Sequence, residues 1–297
     1  MVALPALAQR RLARTELRQA GEGYSFALPF LLPFLVFTIL PLAFGVLVSF
    51  TNWSIIGAPQ WVGLHNYISA LSNPLVRQAF LNTLRYVVLV VPVVTLLGLV
   101  FALYVNQRWP GHLFARVSFY ASNVVSAPVI GLVWVWMLDA QFGIINHYLH
   151  TSIPWLTSTN WSWIGVSIAT VWWDTGLIFV LFLAGLQEIN GEILEAAKID
   201  GAGPWRSLRR IVLPLLRRTF ILAITLEMIS TFQIFSQVNV MTAGGPANSS
   251  ASAMQYLYSA GIGQLQLGYA SAIGVMLFVL TVIGTMIFRL LFRDKRW

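Results

Sequence analysis

The sequence predicts an all-α membrane protein of six transmembrane helices, with both termini cytoplasmic and a cytoplasmic helical pair between the fourth and fifth spans. Three observations predict it. Hydrophobic residues make up 58% of the 297 and charged residues 9%, with a mean hydropathy of +0.75, whereas soluble domains carry roughly 25% charged residues. Apolar runs long enough to cross a hydrocarbon core of about 30 Å recur along the chain. The 18 Lys and Arg residues fall almost entirely on one side of those runs, as the positive-inside rule requires of cytoplasmic segments.

The first 23 residues form a basic cytoplasmic segment carrying Arg10, Arg11, Arg14 and Arg18. A membrane domain follows over 24–292, with the polar loop 188–216 inside it, and 293–297 are a cytoplasmic tail. The first apolar run, 26–50, is too long for a signal-peptide core and no small-residue cleavage site follows it, so an uncleaved helix is expected. Its Pro29, Pro33 and Pro41 predict kinks. The remaining spans are expected over 86–104, 117–138, 164–186, 220–240 and 272–291.

Charge sets the orientation. Arg108 and Arg116 follow the second run, Lys198 to Arg218 follow the fourth, and Arg289 to Arg296 close the sixth. Only Arg77 and Arg85 fall on the opposite side, and 139–163 and 241–271 contain neither Lys nor Arg. The net charge of +8 is therefore a topology signal, and nucleic-acid binding, which needs a clustered basic face on its own fold, is not expected. Trp53, Trp61, Trp155, Trp161 and Trp163 lie near outer span ends and read as interfacial anchors. The absence of cysteine excludes disulfides and thiolate metal sites. His147 and His150 are spaced for one helical face, but with no third ligand nearby they read as a polar tip, and no metal is assigned.

The loop after the fourth run reads as two short helices. Asn190 caps the first, whose opening turns carry Glu192 and Glu195 against the positive end of the helix dipole. Gly201 stops it, Gly203 and Pro204 restart the chain, and Pro214 sets the end. Ala196, Ala197, Gly201, Ala202 and Gly203 leave a partner surface room to approach the backbone, with Glu195 and Arg206 at the edges. The residues alone equally permit an amphipathic pair whose Trp205, Leu208 and Ile211 lie on lipid headgroups.

Glu-Ala-Ala, three residues, Gly, nine residues and Ile-x-Leu-Pro resembles the signature loop of permease subunits of ATP-binding-cassette (ABC) importers. Glu195, Ala196, Ala197, Gly201, Ile211, Leu213 and Pro214 match its spacing. The resemblance covers nearly the whole chain and is to the carbohydrate branch, in the maltose and glycerol-phosphate permease style. Ser49-Phe50-Thr51-Asn52-Trp53, Val62-Gly63-Leu64-His65-Asn66-Tyr67, Asn82-Thr83-Leu84, Ala184-Gly185-Leu186-Gln187 and Gly244-Gly245-Pro246 follow that branch in order. Phe235-Ser236 departs from it, since Phe-Asp is usual after the fifth span. The resemblance implies that 195–214, with Asp200 and Arg206, is a coupling region seated in a cleft of a cytoplasmic ATPase.

No phosphate-cradling Gly-rich loop ending in Gly-Lys-Ser or Gly-Lys-Thr is present; the lysines are Lys198 and Lys295, neither after a glycine. Catalysis by this chain is not expected. The resemblance implies a separate ABC ATPase dimer holding ATP and Mg, a second permease subunit, an extracytoplasmic solute-binding protein and a carbohydrate substrate. It places the chain among the lipids of a prokaryotic inner membrane.

Ionisable residues inside spans are costly and mark pathways by default. Asp174 and Glu227 qualify, the first in Trp172-Trp173-Asp174-Thr175-Gly176, where aromatic faces beside an acceptor suit a sugar ring. By resemblance to the maltose-type permease, the substrate-lining positions are Thr170, Trp173, Asp174 and Leu177 on one helix and Glu227, Ser230, Thr231 and Ile234 on the next. A structural role, with the acids protonated or paired with the partner permease, is the competing account. Other solutes within the same class are an amino sugar, a polyol or a glycerol phosphate ester, although two carboxylates argue against a phosphorylated one. From another class comes an ion-coupled secondary transporter, which predicts two inverted halves; no such repeat relates 24–138 to 164–291.

Overall fold

The computed structural model describes residues 27–54, 57–107 and 109–292. The basic amino-terminal segment, Arg108 and the tail 293–297 lie outside the described residues. Among the described residues the fold is helical, with only two isolated β-bridges.

Four helices are long and apolar enough to cross a membrane: α1 (Ala27–Val48), α3 (Pro74–Asn106), α7 (Ser162–Gln187) and α13 (Leu267–Leu291). A short α2 (His65–Ser72) precedes α3, and a short α12 (Ala253–Tyr258) precedes α13. In α1 a π turn, Leu35–Ile39, lies between Pro33 and Pro41, because a proline withholds one ladder donor on each side. The face of α1 is largely exposed, with Phe30 and Phe37 at 71% and 79%.

Two of the expected spans are not single helices. The run 117–138 divides into α4 (His112–Val124) and α5 (Ala127–Met137), bent by 102°. Val125 and Ser126 are extended at the joint and Pro128 opens the second helix; proline removes a ladder bond and disfavours helix just before it. The run 220–240 likewise gives α10 (Arg217–Phe232) and α11 (Ser236–Met241). At 16 residues α10 alone falls short of the length that a full crossing takes. The described helices therefore supply four full crossings, or five with the bent pair.

The core forms where α3 crosses α7. Val90, Val94 and Ala102 meet Ile178, Phe179 and Phe182, all fully buried, and Val212, Leu216 and Ala223 extend the cluster. Lipid tails are as apolar as these side chains, so close packing rather than water exclusion holds the crossing. At Gly98 an added Cβ would lie 2.8 Å from Ile178 Cγ2 and 3.0 Å from the Phe179 nitrogen. The two backbones touch there because no side chain stands between them. Buried threonines of the crossing are satisfied within their own helices: Thr95 donates to the Val91 carbonyl at 2.7 Å and Thr175 to Val171 at 2.6 Å, as helices without water must arrange.

Two outer-loop expectations change. Trp155 is not an interfacial anchor: it is 7% exposed and its indole donates to Asn146 Oδ1 at 2.8 Å. Asn146, in α6 (Ile144–Leu149), also donates to the Ile153 carbonyl at 2.9 Å, so this pair organises 138–161. His147 and His150 do not share a helical face, since His150 is the left-handed cap at φ 51° that ends α6.

Candidate functional site

Both helix breaks face the same space. A cavity of about 230 Å³ is lined by Thr170, Trp173 and Asp174 of α7, by Ser230 and Thr231 of α10, and by Ile234 in the break after it. These are six of the eight residues expected to line a solute path. The non-helical stretch adds Gln233 and Phe235, with Ala127 from the start of α5 and Ser236 and Gln237 from α11. Irregular backbone at membrane depth is tolerated where it borders a cavity, and interrupted helices beside a midplane site are the pattern of transport proteins.

The freed carbonyls at the breaks have partners. Trp173 Nε1 donates to the Val125 carbonyl at 2.9 Å, and Ser252 Oγ donates to the Ile234 carbonyl at 2.6 Å. Trp173 therefore offers the cavity its ring while its N–H holds the α4–α5 joint. Thr170 spends its own proton on the Val166 carbonyl at 2.8 Å, leaving its oxygen able to accept from a ligand.

Behind this wall sits the second acid. Glu227 is 2% exposed and does not line the cavity; Thr231 Oγ1 donates to its Oε1 at 3.1 Å, and its carboxyl neighbours that of Asp174. Asp174, 6% exposed, is the member at the cavity surface. No Lys, Arg or His lines this cavity among the described residues. Leu177 differs from expectation: it is 43% exposed and outside the cavity.

At the far end of α7 stands the helical pair. Asn190 Oδ1 accepts from the Glu192 amide at 3.0 Å and caps α8 (Gly191–Ile199). Gly201 closes it at φ 76°, with the Ala202 amide donating to the Ala197 carbonyl at 2.9 Å and the Gly201 amide to Lys198 at 3.0 Å. This is the double-bonded left-handed terminus that glycine adopts without strain. The second helix, α9, runs over 204–215 as Pro204–Ser207, a π turn Leu208–Val212 and Leu213–Leu215. Pro214 lies within its last piece, and the break comes at Leu216, before α10.

Glu195, Ala196, Asp200, Gly201 and Arg206 are exposed, whereas Ala197 turns inward. Leu208 and Leu213 pack against the α3–α7 core and Val212 is buried. The apolar face of α9 is thus turned towards the bundle, while Ile199 at 87% and Trp205 at 72% exposure stand out beside Glu195 and Arg206.

Comparison with known proteins gives a consistent result. Residues 94–297 match the family described as binding-protein-dependent transport system inner membrane component. The trehalose/maltose transport system permease protein MalF of Thermococcus litoralis is 32% identical, with 96% of this chain and 98% of that protein covered. The sulfoquinovosyl glycerol transport system permease protein SmoG of Agrobacterium fabrum is 30% identical over 86% and 85%. Among solved structures, a chain of a bacterial alginate ABC transporter, in complex with an alginate pentasaccharide-bound periplasmic protein, superposes with a TM-score of 0.81. It is 19% identical, over 94% of this chain and 96% of that one, a likeness of fold.

Proposed function

We propose, from the premise that this chain belongs to the family of binding-protein-dependent transport system inner membrane components, that it forms half of the pathway of an ATP-driven sugar importer. The observation that carries the sugar assignment is the cavity between two helix breaks. An indole face, a carboxyl group, amides and hydroxyls converge there, and no Lys, Arg or His opposes them among the described residues. Sugar rings stack on aromatic faces and give their hydroxyl protons to carboxylate acceptors. A relative whose name specifies trehalose and maltose agrees with the class.

In this account the chain crosses the inner membrane six times, α10 completing its crossing through the break into α11. The 188–216 loop and both termini face the cytoplasm. The exposed Glu195 edge of α8–α9 sits in a cleft of an ABC ATPase, which supplies ATP and Mg and hydrolyses the nucleotide. Closure of that ATPase moves α7 and α10, the two helices that the loop joins, and those helices carry the cavity. A second permease subunit completes the path and covers the exposed face of α1, and an extracytoplasmic binding protein delivers the solute. Asp174 accepts hydroxyl protons, Trp173 and Phe235 flank the ring, and Glu227 positions Asp174 and Thr231 from behind.

Uptake by the reconstituted transporter, offered a neutral disaccharide, an amino sugar, a polyol, a glycerol phosphate ester and an acidic oligosaccharide, tests the assignment. ATP-dependent uptake of a neutral or amino sugar is expected, with no uptake of the phosphate ester or the acidic oligosaccharide. Uptake driven by an ion gradient without ATP contradicts it. The carboxyl pair specifically favours an amino sugar as a second reading, and the same panel separates the two.

A further inference from the structure

A second cavity shares no residue with the first. It measures about 850 Å³ and lies between the 49–73 segment, which links α1 to α3, and the 256–269 segment that leads into α13. No Asp, Glu, Lys or Arg lines it among the described residues; its walls are amides, hydroxyls, an imidazole and the rings of Trp53, Tyr256 and Tyr269.

The frame of this cleft is fixed by hydrogen bonds. Asn66, 6% exposed, donates from Nδ2 to the Ser49 and Thr51 carbonyls at 2.9 Å each. The Gly268 amide donates to the Trp53 carbonyl at 3.0 Å, and a Cβ at Gly268 would collide with the Thr51 carbonyl at 1.9 Å. Bridges Thr51 to Trp61 and Ser54 to Gln266 close the frame. Asn73 Nδ2 donates to both Tyr256 Oη at 3.1 Å and Tyr269 Oη at 3.3 Å, which holds the two phenols side by side.

Inside this frame polar groups remain unused. The side chains of Asn52, Gln264 and Gln266 and the Trp53 indole N–H make no hydrogen bond among the described residues. Side-chain amides donate and accept at once, as each sugar hydroxyl does, and aromatic rings cover the apolar faces of a pyranose. With no Asp, Glu, Lys or Arg in its lining among the described residues, the cleft offers a charged ligand only the His65 imidazole as an ionisable nitrogen partner.

We propose that this cleft is a second binding site, selective for a neutral saccharide, in which Asn52, Gln264 and Gln266 take the hydroxyls and Trp53 and Tyr269 take the ring faces. It rests on the reading above for its place at the outer membrane face, where α1 ends and α3 and α13 begin. Its ligand class rests on its own lining. Solute released outside is held here before it reaches the central cavity.

Saturation-transfer NMR on the assembled transporter in nanodiscs, with maltotriose as probe and glucosamine and gluconate as charged controls, tests it. Asn52→Ala with Gln266→Ala is expected to cut the maltotriose signal at least about fivefold, the loss of two or more neutral hydrogen bonds. Asp174→Ala should leave this outer signal in place. Gln264→Glu, at an exposed position, should weaken maltotriose and raise the glucosamine signal. Maltotriose signals unchanged in the cleft variants overturn the proposal, as does a signal lost only in Asp174→Ala. So does a double variant that loses capture of the binding protein while keeping maltotriose, which makes the cleft a protein-docking surface. Failure of transport in Asp174→Ala alone bears on the central cavity, so the two assignments fail separately.

Discussion

Replacing Glu195 with alanine in the assembled transporter is expected to leave a folded, correctly inserted permease that hydrolyses ATP through its partner yet imports little sugar. Glu195 is exposed on α8, and exposed substitutions of this kind usually change stability by less than about 0.5 kcal/mol. Docked against an ATPase as proposed, the same carboxylate would make a charge-assisted contact worth about 1.5–3 kcal/mol. Its loss weakens docking by roughly 10- to 150-fold. Gly201→Val should act by another route. At φ 76° there is open space for a side chain, but a left-handed backbone costs an L-residue roughly 1–2 kcal/mol, so the turn between α8 and α9 reorganises and the lever loses its shape. Parallel assays of sugar uptake and ATP hydrolysis check both variants, with binding-protein capture at the outer face unaffected. Wild-type uptake by both would remove the coupling role from this loop.

Asp174→Ala should lower uptake by roughly 10- to 150-fold, the equivalent of one or more hydrogen bonds to a charged acceptor. Glu227→Gln should act less strongly. Glu227 does not reach the cavity, and glutamine can keep the contacts with Asp174 and Thr231, so uptake is expected to stay within about fivefold of wild type, one neutral hydrogen bond. Glu227→Ala removes the group that orients both neighbours and should fall between the two. The order of the three variants carries the argument. A Glu227→Gln defect as deep as that of Asp174→Ala would put Glu227 at the solute, and normal uptake by Asp174→Ala would leave the pair a structural role only.

Local chemistry was legible in the sequence, and three-dimensional choice less so. The cap at Asn190, the stop at Gly201 and the restart at Pro204 depend on a few consecutive residues, and each lies where the sequence placed it. The breaks at 125–126 and 233–235 were hidden inside apolar runs, because hydropathy averages over a window and does not register one lost ladder bond. Pro128 and the polar sequence 230–237 were the available signals. Trp155 was misplaced because interfacial enrichment is a rule about depth, and it does not show the buried Asn146 that claims the indole. Leu177 and Glu227 show how far positions carried over by resemblance can go. Each sits on its expected helix, yet Leu177 faces out and Glu227 lies behind the wall. Thr170, Trp173 and Asp174 reached the cavity together because residues three and four apart share a helical face, and Ile234 reached it through the break after α10.

The family came from a motif whose fold-level consequence the structure then supplied. The same residues that match the signature form α8 and α9, and those helices hang between α7 and α10, the two that carry the cavity. A mechanical path from loop to cavity therefore runs through two covalent connections, with the packed α3–α7 crossing as its fixed support.

The chain contains no cysteine, so Ala196→Cys, on the exposed face of α8, provides a single reporter on the coupling claim. In the assembled transporter a bifunctional thiol reagent should join residue 196 to a single cysteine placed at the rim of the ATPase cleft. Sugar uptake should cease on cross-linking and return on cleavage of a reducible linker. Absence of any cross-link to the ATPase, together with uptake that persists when residue 196 carries a bulky thiol label, would contradict the account.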